Sequence, residues 1–116
     1  LSAMTDMPFG TIVLTHFPFT DLSSTKRRPA LVISVDNERR TDLVVAYIIS
    51  VPIEAPDAVA IQPDDANGLK RPSHVRFDKL ATLAKDIVTG RLGDANPVWL
   101  QQQAETFFNI FGFQRD

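Results

Sequence analysis

Two residues in this chain of 116 suit chemistry at a phosphodiester, and each stands close to a proline. Arg28 directly precedes Pro29, whose fixed φ at a strand start holds a guanidinium at the rim of a sheet rather than in a loose loop. A planar guanidinium held there can clamp two equatorial oxygens of a pentacoordinate phosphorus. Ser50 ends the run Ile48-Ile49-Ser50 shortly before the break at Pro52, which puts a hydroxyl at a strand mouth where it can orient one of those oxygens. The plain alternative is an arginine that begins one strand and a serine that ends another.

Other chemistries lack their residues. There is no cysteine, so disulfide frameworks, thiolate zinc sites and cysteine nucleophiles are excluded, and the composition fits a reducing cytoplasm. His16 and His74 stand far apart, with no carboxylate at metal-site spacing around either. His16, near the end of the first strand, reads as a partly buried, hydrogen-bonded strand residue. His74 alternates with Val75 and shares a strand face with Arg76, within reach of a phosphate, although a structural role explains it equally. No glycine-rich phosphate loop or nucleophile elbow is present.

The net charge of −2 and a pI near 5.6 argue against wholesale, non-specific binding to nucleic acid. The basic residues are nevertheless clustered: Lys26 with Arg27 and Arg28, Arg39 with Arg40, and a looser set of Lys70, Arg71, Arg76 and Lys79. Such clusters are commonly just solvated surface.

The elements that must position these residues are mostly strands. Alternation of Ile12 and Leu14 with Thr11, Val13 and Thr15 predicts a half-buried strand over 10–17. A polar loop follows to Arg28, and Pro29 opens an apolar run to Val35. Residues 36–42 form a charged hairpin loop, and Leu43 to Val51, apolar on both faces, predicts a central strand. Short strands are expected at 58–62, 73–77 and 81–83, with a weak one at 86–92, and Asn67-Gly68 marks a turn within a longer loop. Only the end is helical: Asn96 suits an N-cap, Pro97 suits the first helical position, and Gly112 suits the stop. Leu100, Ala104, Phe107, Phe108 and Phe111 recur at helical spacing, as a core stripe. Five to seven short strands and one helix predict a small curved sheet or barrel with the helix packed on it. Residues 4–116 read as one domain, and 1–3, before Met4, as a possible cloning remnant. The longest apolar runs are strand-length, so no membrane association is expected.

The run from Gly10 to Ser34, with Thr-His-Phe-Pro-Phe from Thr15 and Lys-Arg-Arg-Pro from Lys26, resembles the opening of the MazF/PemK family of toxin endoribonucleases. Val44 to Ser50 and Val75 to Leu83 follow in the matching order. The resemblance implies a mainly β fold, an SH3-like barrel with a C-terminal helix, and a homodimer in the cytoplasm. It also implies cleavage of single-stranded RNA without metal or cofactor, and an antitoxin protein that occupies the RNA groove and gives a DNA-binding complex. Carried over residue by residue, the arginine before proline is Arg28, and an Arg-x-Asp pair falls on Arg76 and Asp78. Phe19 is expected to stack a base, with Thr20 beside it. Lys26, Arg27 and Lys79 would neutralise phosphates. Two positions depart from the pattern: Ile49 stands where a threonine is usual, and Ser23 where some members carry an acid. Either Ser50 serves in place of that threonine, or turnover is weakened or lost.

Overall fold

The computed structural model describes residues 7–16, 27–37, 39–50 and 57–114. Six strands form: β1 (Thr11–Thr15), β2 (Arg28–Val32), β3 (Asp42–Ile49), β4 (Ala58–Ile61), β5 (Ser73–Ala84) and β6 (Gly90–Asp94). They make one antiparallel sheet in the order β4-β5-β3-β2-β1-β6, curled into a half-barrel. The long apolar strand β3 lies between β2 and β5, as a strand apolar on both faces requires.

β5 is one strand where the sequence predicts two. Ala46 pairs with Leu80 but the next residue of β3, Tyr47, pairs with Arg76, so Phe77, Asp78 and Lys79 fall between paired positions. That bulge breaks the alternation, and it bends the strand where β4 stops pairing with it, at Arg76. The weak strand expected at 86–92 begins later. A 3-10 turn takes Lys85–Ile87 first, and β6 opens at Gly90.

The sheet is buried on both faces. On one, Ile12, Leu31, Ala46, Ile48, Val75 and Phe77 pack beneath the helical end of the chain. On the other, Val13, Ala30, Val32, Leu43 and Val45 form a second cluster with Met7, Tyr47 and Val88 against it. Each fully buried Val, Leu, Ile or Phe among them contributes roughly 1.5–3 kcal/mol. The second cluster corrects the half-buried reading of β1: Thr11, Val13 and Thr15 are more enclosed than Leu14. The buried Thr11 hydroxyl is satisfied by donating to the Pro8 carbonyl at 2.8 Å.

The predicted helix is two short ones, α1 (Pro97–Gln102) and α2 (Ala104–Ile110), hinged at Gln103. Asn96 caps α1, its Oδ1 accepting from the Val98 and Trp99 amides at 2.8 and 3.2 Å. The break turns the stripe, so Leu100, Phe107 and Ile110 reach the core while Phe111 stays 41% exposed. Gly112, at φ +76°, supplies the left-handed residue that stops α2. Among the described residues no helix is long and apolar enough to cross a membrane.

Candidate functional site

Arg28 opens β2 opposite Thr15 of β1, half-buried at the rim of the sheet. Further along, Ala30 pairs with Tyr47 of β3. Two residues back along β2 is Arg28 and two onward along β3 is Ile49, and period-2 alternation puts both on the face of that pair. Ser50 follows immediately, exposed, beyond the strand end. Arg28, Ile49 and Ser50 all wall one cavity of about 410 Å³.

The remaining charge of that cavity comes from three further cations, Arg27, Lys70 and Arg71, and no described carboxylate lines it. Its floor is apolar, with Leu14 and Leu69 among its walls. Cations around an apolar floor suit a nucleotide, whose base wants apolar contact and whose phosphate wants charge. A protein of net negative charge therefore carries a locally positive recess.

Lys70 and Arg71 reach it because the loop before β5 is tightly folded. The buried Asn67 accepts the Asp64 and Leu69 amides on Oδ1 at 3.1 and 2.9 Å, and its Nδ2 donates to the Gln62 carbonyl at 2.8 Å. Gly68 follows at φ +71°, and a β-carbon there would collide with the Leu92 carbonyl of β6. The sequence reading placed Lys70 and Arg71 in a basic cluster but not in the site. The signal was Asn67-Gly68, whose closure against β6 is a tertiary event.

Arg76 and Asp78 meet each other rather than the cavity. Arg76 Nε donates to Asp78 Oδ1 at 2.9 Å and its terminal nitrogen to Oδ2 at 2.7 Å, a two-pronged pair at the edge of the bulge. The hydrogen bond from Arg76 holds the Asp78 carboxyl below its usual range, with partial burial opposing, and the same bond raises the Arg76 guanidinium. Lys79, next in the bulge, is half-buried.

His74 is half-buried on β5, opposite Ile49 of β3 and Ala60 of β4. His16 corrects the expectation of a partly buried strand histidine: it lies just past the end of β1 and is exposed. Arg27 is exposed, its guanidinium 3.5 Å from the Thr89 carbonyl. Phe19, Thr20 and Lys26 lie outside the described residues. Among the described residues no three His, Asp or Glu side chains gather as a metal site.

Solved structures share this architecture. An endoribonuclease in complex with its cognate antitoxin, from a Mycobacterial species, is 20% identical with a TM-score of 0.77, covering 96% of this chain and all (100%) of its own. Mycobacterium tuberculosis toxin MazF-mt6 is 21% identical with a TM-score of 0.70, over 91% of this chain and 99% of that one. MazF from Deinococcus radiodurans is 20% identical at a TM-score of 0.70, over 93% and 97%. At those identities the likeness is one of fold. Among curated protein sequences none matches the chain. The family pattern described as "PemK-like, MazF-like toxin of type II toxin-antitoxin system" matches residues 9–110, and it spans every strand and both helices. The chain therefore belongs to the PemK-like, MazF-like toxins of type II toxin-antitoxin systems.

Proposed function

We propose that this chain is an endoribonuclease that cuts single-stranded RNA at the cavity walled by Arg28, with no metal or cofactor, and that an antitoxin protein silences it by filling the same groove. The observation that carries this reading is the convergence of Arg28, Ser50 and three further cations on one recess with an apolar floor. In this mechanism the ribose 2′-oxygen attacks the adjacent phosphorus and the 5′-oxygen leaves. The products end in a 2′,3′-cyclic phosphate and a 5′-hydroxyl. Arg28 spreads the phosphorane charge over its fork and donates toward the departing 5′-oxygen, while Ser50 orients a non-bridging oxygen. The Arg76–Asp78 pair stands outside the cavity wall, so the 2′-hydroxyl proton passes through a bridging water to Asp78, on a lone pair that Arg76 leaves open. With its affinity for protons lowered by Arg76, it is a slow base. Arg27, Lys70, Arg71 and Lys79 hold flanking phosphates, and Phe19, Thr20 and Lys26 are assigned to RNA contact by the family resemblance alone. The working unit is a cytoplasmic homodimer.

A second reading has its own observation. Ile49 borders the cavity and carries no hydroxyl, which favours a barrel that binds RNA or antitoxin without cutting. Long single-stranded RNA incubated with the protein in EDTA and run on a denaturing gel separates the two. Discrete fragments with 5′-hydroxyl ends support cleavage. Intact RNA that still co-migrates with the protein on a native gel supports the second reading, and intact RNA without binding contradicts both.

A further inference from the structure

One row of residues crosses the sheet on a single face. Thr15 of β1 pairs with Arg28 of β2, Ile49 of β3 pairs with His74 of β5, and His74 pairs with Ala60 of β4. The register of Ala30 with Tyr47, continued by two residues, sets Arg28 beside Ile49 and closes the row. Among the described residues, the buried side-chain polar atoms without a hydrogen-bond partner are Thr15 Oγ1 and His74 Nδ1, and both belong to this row. Folded proteins satisfy nearly all such atoms, so two orphans flanking Arg28 and Ile49 mark the row as built for something other than stability.

His74 is the member with chemistry to spare. Its ladder neighbours, Ile49 and Ala60, are apolar and cannot meet Nδ1. A proton on Nδ1 would thus be an enclosed donor with no acceptor, whereas the tautomer protonated on Nε2 leaves only a bare lone pair inside and presents an N–H at the other end of the ring. Opposed residues of an antiparallel pair hold their β-carbons about 4.5–5.5 Å apart, so the ring stands between the Ile49 and Ala60 side chains, with Ile49 in direct reach. Resting on the endoribonuclease reading, we propose that His74 donates an Nε2–H hydrogen bond to a non-bridging oxygen of the scissile phosphate, the donor that Ile49 cannot supply. Arg28 and His74 then hold the phosphorus from two sides of Ile49.

The test uses the full chain in two arms. In the first, 15N-histidine-labelled protein is titrated with a single-stranded 2′-O-methyl RNA, which binds but has no attacking hydroxyl. His74 should show the Nε2–H tautomer when free, and its Nε2 resonance should move on binding; an Nδ1–H tautomer, or an Nε2 resonance unmoved at the end of the titration, overturns the proposal. In the second, His74→Ala should lower the single-turnover cleavage rate by roughly ten- to a hundredfold while affinity for the 2′-O-methyl RNA changes little. His74→Gln, which keeps an N–H at similar reach, should recover part of the rate. Ile49→Thr placed in the His74→Ala chain should recover it as well, because the new hydroxyl arises directly across the ladder. His74→Ala cleaving at the native rate overturns the proposal. If the native chain cuts no RNA at all, the endoribonuclease reading fails and the resonance arm alone decides for or against the contact.

Discussion

Ile48 and Ile49 are neighbours with opposite surroundings. Ile48, 1% exposed, sits in the core opposite Val75, while Ile49 is half-buried opposite His74, and both border the cavity. A hydroxyl introduced at 49 therefore lies on the half-buried side of the strand, away from the core cluster around Ile48. Ile49→Thr should raise RNA cleavage by roughly tenfold, equivalent to about 1.4 kcal/mol of barrier, and leave the melting temperature nearly unchanged. A drop of several degrees with no gain in rate would mean that the side chain packs inward. Part of this site was legible beforehand: Arg28 and Ser50 stand beside proline breaks, and a proline announces a strand end locally. Lys70 and Arg71 were not, since nothing local says that Asn67-Gly68 will close against Leu92 and carry them to the cavity. The grip of Arg76 on Asp78 was legible too, since residues two apart on a strand share a face.

At the scale of elements, one carboxylate ties three segments together. Asp36, in the loop after β2, accepts the Met7 amide at 2.9 Å and the Lys85 ammonium at 2.6 Å, joining the chain before β1 to the 3-10 turn after β5. Burial pushes the Asp36 carboxyl up, but the hydrogen bonds from Lys85 and Met7 together outweigh it and leave the group below its ordinary 3.8. A carboxyl lowered on folding stabilises above its unfolded value, and the gain disappears as the pH falls through the folded one. Asp36→Asn should thus cost about 1–3 kcal/mol in urea unfolding at pH 7, and the difference from the native chain should close well below pH 3.8. A penalty that persists unchanged in acid would exclude the ion pair as its source. The β1, β2, β3 and β4 segments were readable because apolar runs ended by prolines and polar loops are local signals. The bulge in β5, the joint at Gln103 and the delay of β6 to Gly90 were not, since each answers to a partner strand or to the core rather than to its own residues.

The whole molecule leaves two sheet edges, β4 and β6, and exposes Phe9, Phe111 and Phe113 among the described residues. Edges and aromatic surface of this kind are commonly covered by association. Light scattering at micromolar concentration should report about twice the 12.9 kDa chain mass; a particle of single-chain mass would contradict the homodimer. An acidic protein that grips RNA must do so through its local basic recess and not through net charge, and Arg28 is the cation in it that the scaffold holds at a strand start. The most direct measurement is the single-turnover cleavage rate of saturating single-stranded RNA in EDTA by the native chain and by Arg28→Lys. The lysine keeps the charge and loses the fork, so the rate should fall by roughly a hundredfold with RNA affinity little changed. A lysine variant that cuts at the native rate would reduce Arg28 to one more phosphate contact and contradict the account.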